Sequence, residues 1–217
     1  VEDPNRIPVR VLGDRVLPLG GVFSNREIKV AIALGHIVQY PYEPDLINPA
    51  SMDVRLGRHF YRTDQLKDER PELYNFHDQE NVDEYYGEPL EAQPLRDITK
   101  LTKRFGLTAF QKIDLDALVI FMKPGERLLA HTHGISGIYA PGSSSIHAKS
   151  TTGRNGFTVC KDASIGNPNY VGRWTLELEN TNHETIVLPV GMPIAQNVFY
   201  GTGGVDDRLQ APVLVDA

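Results

Sequence analysis

The sequence predicts a mainly β domain of sandwich or distorted-barrel type. Six apolar and β-branched runs fill its second half: Leu115 to Met122, Arg127 to Thr132, Gly156 to Cys160, Arg173 to Leu178, Thr185 to Leu188, and Ile194 to Phe199. Turn residues separate these runs, as short antiparallel strands require. One run alternates strictly, with Trp174, Leu176 and Leu178 on one face and Thr175, Glu177 and Glu179 on the other. Folding is expected to bury Trp174, Leu176, Leu178, Ile186, Leu188 and Val119.

The elements follow in order. Residues 1–23 alternate Arg with Val, Leu and Pro and read as an extended N-terminal arm. Ser24 with Glu27 three residues on makes a capping-box pattern. Ile28, Ala31, Ile32 and Leu34 then give a short amphipathic helix, which Gly35 ends. Pro41, Pro44 and Pro49 keep residues 37–60 extended or turning. Residues 64–112 are polar and irregular, with a short helix near 95–105. The main domain is thus 24–200, with this stretch as an acidic insertion and 201–217 as a tail.

Composition narrows the function classes. The chain has 217 residues, enough for one domain with a large insertion. Its single cysteine excludes an internal disulfide framework and a Cys-rich zinc site, and fits a cytoplasmic location. No apolar run approaches a membrane span and no signal-peptide pattern opens the chain, so no membrane partner is expected. The first residue is Val, which points to a processed or missing start. Net charge is −6, which argues against a nucleic-acid partner. Residues 64–91 alone carry −8, so the rest sums to +2 and can offer a basic pocket to a small polyphosphate.

One octet stands out: Lys149-Ser150-Thr151-Thr152-Gly153-Arg154-Asn155-Gly156. Lys149 supplies a point charge, while Ser150 and Thr151 supply hydroxyl donors. Gly153 and Gly156 let backbone amides approach an anion, and Arg154 can make forked contacts to phosphate or a base carbonyl. By composition alone the octet reads equally as an exposed hairpin turn. Glu177 reads either as a solvated carboxylate on an open sheet face or as a proton shuttle against a bound base.

Five separated blocks resemble the dCTP deaminase family of the dCTP deaminase and dUTPase superfamily. They are Ser24–Ile28 with Gly35–Val38; Asn48-Pro49-Ala50-Ser51-Met52-Asp53-Val54-Arg55-Leu56-Gly57; Lys123–Glu126 with Leu129–Thr132; Lys149–Gly156 with Asn167–Asn180; and Leu188–Met192 with Gln196 and Phe199. Their shared order covers most of residues 24–200.

The resemblance implies a distorted jelly roll (a β-clip, dUTPase-like fold) with a short N-terminal helix and a polar insertion. It implies a homotrimer with active sites at subunit interfaces, and Mg²⁺ accompanying the triphosphate. It implies zinc-independent deamination of dCTP to dUTP, and one cysteine leaves no room for the paired-cysteine zinc deaminase signature. Glu177 matches the glutamate that activates water and relays protons; Ser150 and Arg154 match residues that hold that water and the base. Lys149 and Thr151 fall at phosphate contacts, Ala163 where backbone reads the base, and Tyr170 against the deoxyribose. Gln196, Thr152, Asp162 and Asn167 complete the expected substrate contacts.

The chain departs from the family pattern in three places. The loop begins with Lys149 where the family has Arg, which loses the fork geometry. Asn167 stands where the family has the Asp that activates water against the phosphate chain. The tail 201–217 lacks the Tyr, Lys and Gln pattern that folds over the triphosphate. These departures keep two alternatives open: a dUTPase-like or bifunctional pyrophosphatase, and a catalytically inactive nucleotide-binding member. A third reading, a cupin-type metal protein, rests on His131-Thr132-His133 after Gly125, but no Glu follows at cupin spacing. Cys160 is expected to be a small buried residue.

Overall fold

The computed structural model describes residues 9–12, 15–18, 21–62, 73–106, 110–161 and 163–202. Asp162 and residues 203–217 of the tail therefore lie outside the described residues. All strand pairings are antiparallel. The main sheet runs Phe157–Thr158, Thr175–Asn180, Arg127–Thr132, Ser51–Arg62, Pro193–Gly201, Gly142–Ala148, Ile165–Gly166. Two smaller sheets flank it. One pairs Val171–Gly172, Ile135–Ile138 and Ile37–Tyr40; the other pairs Ile186–Pro189, Leu118–Met122 and Gln93–Pro94. This is the predicted mainly β architecture.

The local expectations hold where the sequence pattern was periodic. The helix Asn25–Ala33 starts at Ser24, whose hydroxyl accepts from the Glu27 amide while Glu27 accepts from the Ser24 amide. Its apolar stripe buries Ile28 and Ala31 against Phe23, Ile37, Met52, Ile138 and Phe199. The alternation at 174–179 also holds. Trp174, Leu176 and Leu178 enter the main core, joined there by Val119's neighbour Ile120 and by Leu188. Val119 is buried in a separate small cluster with Leu95 and Phe110. Ile186, expected in the core, is only partly buried at its margin, because it sits at the first position of an outer strand.

The extended or turning character expected of residues 37–60 holds: they contain the strands Ile37–Tyr40 and Ser51–Arg62, the latter pairing with both Arg127–Thr132 and Pro193–Gly201. The prolines all precede that strand, so they never interrupt its ladder. One expectation needs correction: among its described residues the insertion is not irregular throughout. It carries the helix Gln79–Tyr86, capped by Asp78, the short strands Leu90–Glu91 and Gln93–Pro94, and the helix Thr99–Phe105 close to the one expected. Gln79–Tyr86 buries none of its residues, and its apolar positions are only Val82, Tyr85 and Tyr86, too short a stripe for periodicity to reveal it. In the arm, Val9–Leu12 and Arg15–Pro18 are extended, as expected, and pair with each other. Among the described residues, no helix is long and apolar enough to cross a membrane.

Candidate active site

The Lys149–Gly156 octet is neither a hairpin turn nor an open loop. Ser150–Arg154 forms one helical turn, with Lys149 at its N-terminal cap position and the Gly153 amide donating to the Lys149 carbonyl. Ser150, Thr151, Gly153 and Arg154 are exposed, so their polar groups face outward. Thr152 points the other way: it is buried and its hydroxyl donates to the Ile194 carbonyl at 3.0 Å. Thr152 thus ties the turn to the Pro193–Gly201 strand. Gly156 closes the turn at φ 63°, where an added Cβ would lie 2.4 Å from the Asn182 side chain.

The block Asn48–Gly57 explains itself in three contacts. The buried Asp53 carboxylate accepts from Asn48 Nδ2 at 2.7 Å and pairs with the Lys149 ammonium. Ser51 Oγ donates to Gln196 Oε1 at 3.2 Å. Gly57 leaves room for the His131 ring, since a Cβ there would stand 2.3 Å from its Cε1. Asp53 carries no role in the sequence reading, although a carboxylate between Met52 and Val54 in a buried strand is a visible signal. An ammonium has three donors, so the pair with Asp53 occupies one of them and leaves two.

Glu177 lies half-buried on the outward face of Thr175–Asn180. Its cross-strand partner is Leu129, and Leu129 in turn pairs with Tyr61. Beside this row opens a groove of about 860 Å³, whose lining includes Arg58, His59, Tyr61, Leu129, His131 and Arg173. Among the described residues, no hydrogen bond or ion pair joins Glu177 to Ser150 or Arg154. The candidate residues therefore form two groups within one chain. Lys149, Asp53, Ser51 and Gln196 make the first, under the exposed Ser150, Thr151 and Arg154. Glu177 on the open sheet face makes the second.

The remaining candidates lie between Cys160 and the Glu177 strand. Ala163 and Asn167 are exposed, and the Asn167 carbonyl accepts from the Tyr170 amide. The Tyr170 ring packs edge-on against Trp174 with centroids 4.8 Å apart, and its hydroxyl donates to the Arg173 carbonyl at 3.1 Å. Burial pushes the Tyr170 phenol above its ordinary range. Cys160 is buried as expected, and burial pushes its thiol up to about 11, so it is inert.

His131 of the cupin reading has other employment. The His59 amide donates to His131 Nε2 at 3.3 Å, so that nitrogen is the acceptor and Nδ1 carries the proton toward the Thr132 carbonyl at 2.7 Å. Both ring nitrogens are committed, which leaves no lone pair for a metal. Among the described residues, no group of three or more His, Cys, Asp and Glu could hold an ion. Burial holds the His131 pKa below its ordinary value of 6.5, with Arg173, His59 and His133 adding to the effect. The folded chain thus binds that proton more weakly than the unfolded chain does. Stability should be full above 6.5 and fall as pH drops below it. Thermal melts between about pH 7 and pH 5 should show this fall, and His131→Leu should blunt it.

Comparison with known proteins adds the family. A family model described as dCTP deaminase-like matches residues 22–202. The chain belongs to the dCTP deaminase-like family. A "dCTP deaminase, dUMP-forming" of Methanopyrus kandleri is 31% identical over 195 residues, covering 88% of this chain and 86% of that protein. Proteins of the same name from Bifidobacterium adolescentis and Beutenbergia cavernae are 32% and 28% identical, covering 82% and 87% of this chain and 78% and 89% of theirs. The crystal structure of 2'-deoxycytidine 5'-triphosphate deaminase from Agrobacterium tumefaciens superposes with a TM-score of 0.56 at 18% identity, covering 84% of this chain. This chain spans about half of that one, 48%, and the likeness concerns the fold.

Proposed function

We propose that the chain deaminates dCTP to dUTP and ammonia without zinc, with Glu177 as the proton-carrying carboxylate. The observation that carries the reading is Glu177 itself, outward and half-buried on a sheet face beside an open groove, in a segment whose resemblance to the family gives it the role of the deaminase glutamate. Glu177 takes a proton from a water that attacks C4 of cytosine. Water adds to C4 as Glu177 delivers that proton to N3, giving a tetrahedral adduct; Glu177 then moves the new hydroxyl's proton to the amine, and the C4–N bond breaks to release ammonia as the C4 carbonyl forms. Ser150 and Arg154 hold the water and the base, and Arg154 adds a charge-assisted contact worth about 1.5–3 kcal/mol. Lys149, with its two remaining donors, and Thr151 take the phosphates. Mg²⁺ fits here as an ion carried by the phosphate oxygens and water, since it is seldom held by an all-protein cage.

The relatives' name adds a second step, formation of dUMP. Asn167 sets this chain apart from that step. A neutral amide cannot take the proton of a water attacking the phosphate chain, whereas a carboxylate could. The deamination product is therefore expected to remain dUTP.

Within one chain no hydrogen bond or ion pair joins Glu177 to Ser150 or Arg154 among the described residues, and this supports a site completed by a neighbouring copy in a homotrimer. Mixing subunits tests this. Glu177→Gln and Arg154→Ala proteins should each be inactive alone, and a dissociated and reassembled mixture should regain a fraction of native turnover. A mixture as inactive as its parents would place the whole site within one chain.

A further inference from the structure

The acidic insertion reaches the Glu177 face. Its helix Gln79–Tyr86 has eight residues and buries none of them. Isolated helices shorter than about 12–15 residues are marginal in water. What holds this one is its aromatic end. Tyr85 stacks on Tyr74 with centroids 4.1 Å apart, and Tyr86 packs edge-on against Tyr61 at 6.1 Å. Tyr85 and Tyr86 are themselves perpendicular at 5.2 Å. Tyr61 stands in the cross-strand row Tyr61, Leu129, Glu177, and Pro89 at the insertion's end lines the same groove. The insertion thus returns over the outer face and sets Tyr86 beside that row.

The electrostatics agree with this placement. Burial raises the Tyr86 phenol above its ordinary range, and Tyr74, Tyr85 and Glu177 raise it further while Arg127 lowers it. A phenol raised in this way is neutral throughout the working range of an enzyme, so it offers an apolar ring edge and a neutral hydroxyl.

We propose that Tyr86 is a positioning residue for Glu177: the insertion stands an aromatic wall beside the carboxylate, which restricts its rotamers and screens that side from water. The proposal rests on the deaminase reading of Glu177. The wall acts through the ring, packed on Tyr61, rather than through a hydroxyl contact. Held in one orientation, the carboxylate meets the attacking water in reacting geometry more often.

Two measurements test it. The first needs no turnover. Ultraviolet titration follows phenolate formation among the nine tyrosines, with Tyr86→Phe as the blank that isolates one of them. The Tyr86 midpoint should fall in Glu177→Gln, because a negative neighbour has gone; an unchanged midpoint would overturn the proposal. The second measures dCTP turnover. Tyr86→Phe should stay within about twofold of the native chain, while Tyr86→Ala lowers kcat about tenfold with KM nearly unchanged. Equal losses in both variants, unchanged turnover in Tyr86→Ala, or a loss confined to KM would overturn the role. A midpoint shift in a native chain that turns over no dCTP would sink the deaminase reading and leave the adjacency standing.

Discussion

Glu177→Gln should lose about 10²–10⁴-fold in deamination, the range typical of removing a positioned general acid–base group, and should still bind dCTP. The amide keeps the size and the hydrogen-bonding shape of the carboxylate but cannot take a proton from water. Nothing in the fold depends on the charge, since the side chain points away from the core that Trp174, Leu176 and Leu178 build. Melting temperature should therefore be nearly unchanged. Equilibrium binding of dCTP beside steady-state turnover checks the split. Loss of binding, or full turnover, would remove Glu177 from the proton-carrying role.

Asp53→Ala should cost about 3 kcal/mol of stability, the low end of the range for stranding one member of a buried ion pair. Asp53 is 8% exposed, and its carboxylate holds both Asn48 and Lys149. The Lys149 side chain retains 25% exposure, so its ammonium can recover some hydration, which sets the low end. Asp53→Asn should lose less, because the oxygen that accepts from Asn48 survives. The loss should extend to function. Without Asp53, Lys149 is no longer held beneath the Ser150–Arg154 turn, and KM for dCTP should rise with kcat less affected. Denaturant unfolding and steady-state kinetics on both variants check this.

The parts of the fold legible in the sequence were those set by short-range pattern. The Ser24 capping box, the alternation through Glu177 and the strand at 127–132 all appear as read. Ser51–Arg62 was hidden because its buried stretch mixes Asp53 and Gly57 among apolar residues. Only the pairing with Lys149 and the His131 ring give those two residues a reason. The Gln79–Tyr86 helix was hidden because its stabilising contacts are aromatic and lie at its end, where hydrophobic periodicity has no purchase.

The site divides in the same way. Residue type identified Glu177, Ser150 and Arg154 as chemistry-bearing, and the family resemblance gave them roles. The pairing of Lys149 with Asp53, 96 residues apart in sequence, and the inward turn of Thr152 come only from packing. Tyr86 carried no signal at all in its local sequence. Its place beside the Tyr61–Leu129–Glu177 row depends on where an acidic helix docks, and docking is a property of the folded sheet face.

The most direct test of the central claim is to incubate the metal-chelated, Mg²⁺-restored protein with dCTP and resolve the nucleotides by chromatography. The account predicts dUTP with one ammonia released per dCTP consumed, and no diphosphate. Recovery of unchanged dCTP would contradict the deaminase assignment, and dUMP with diphosphate would contradict the reading of Asn167.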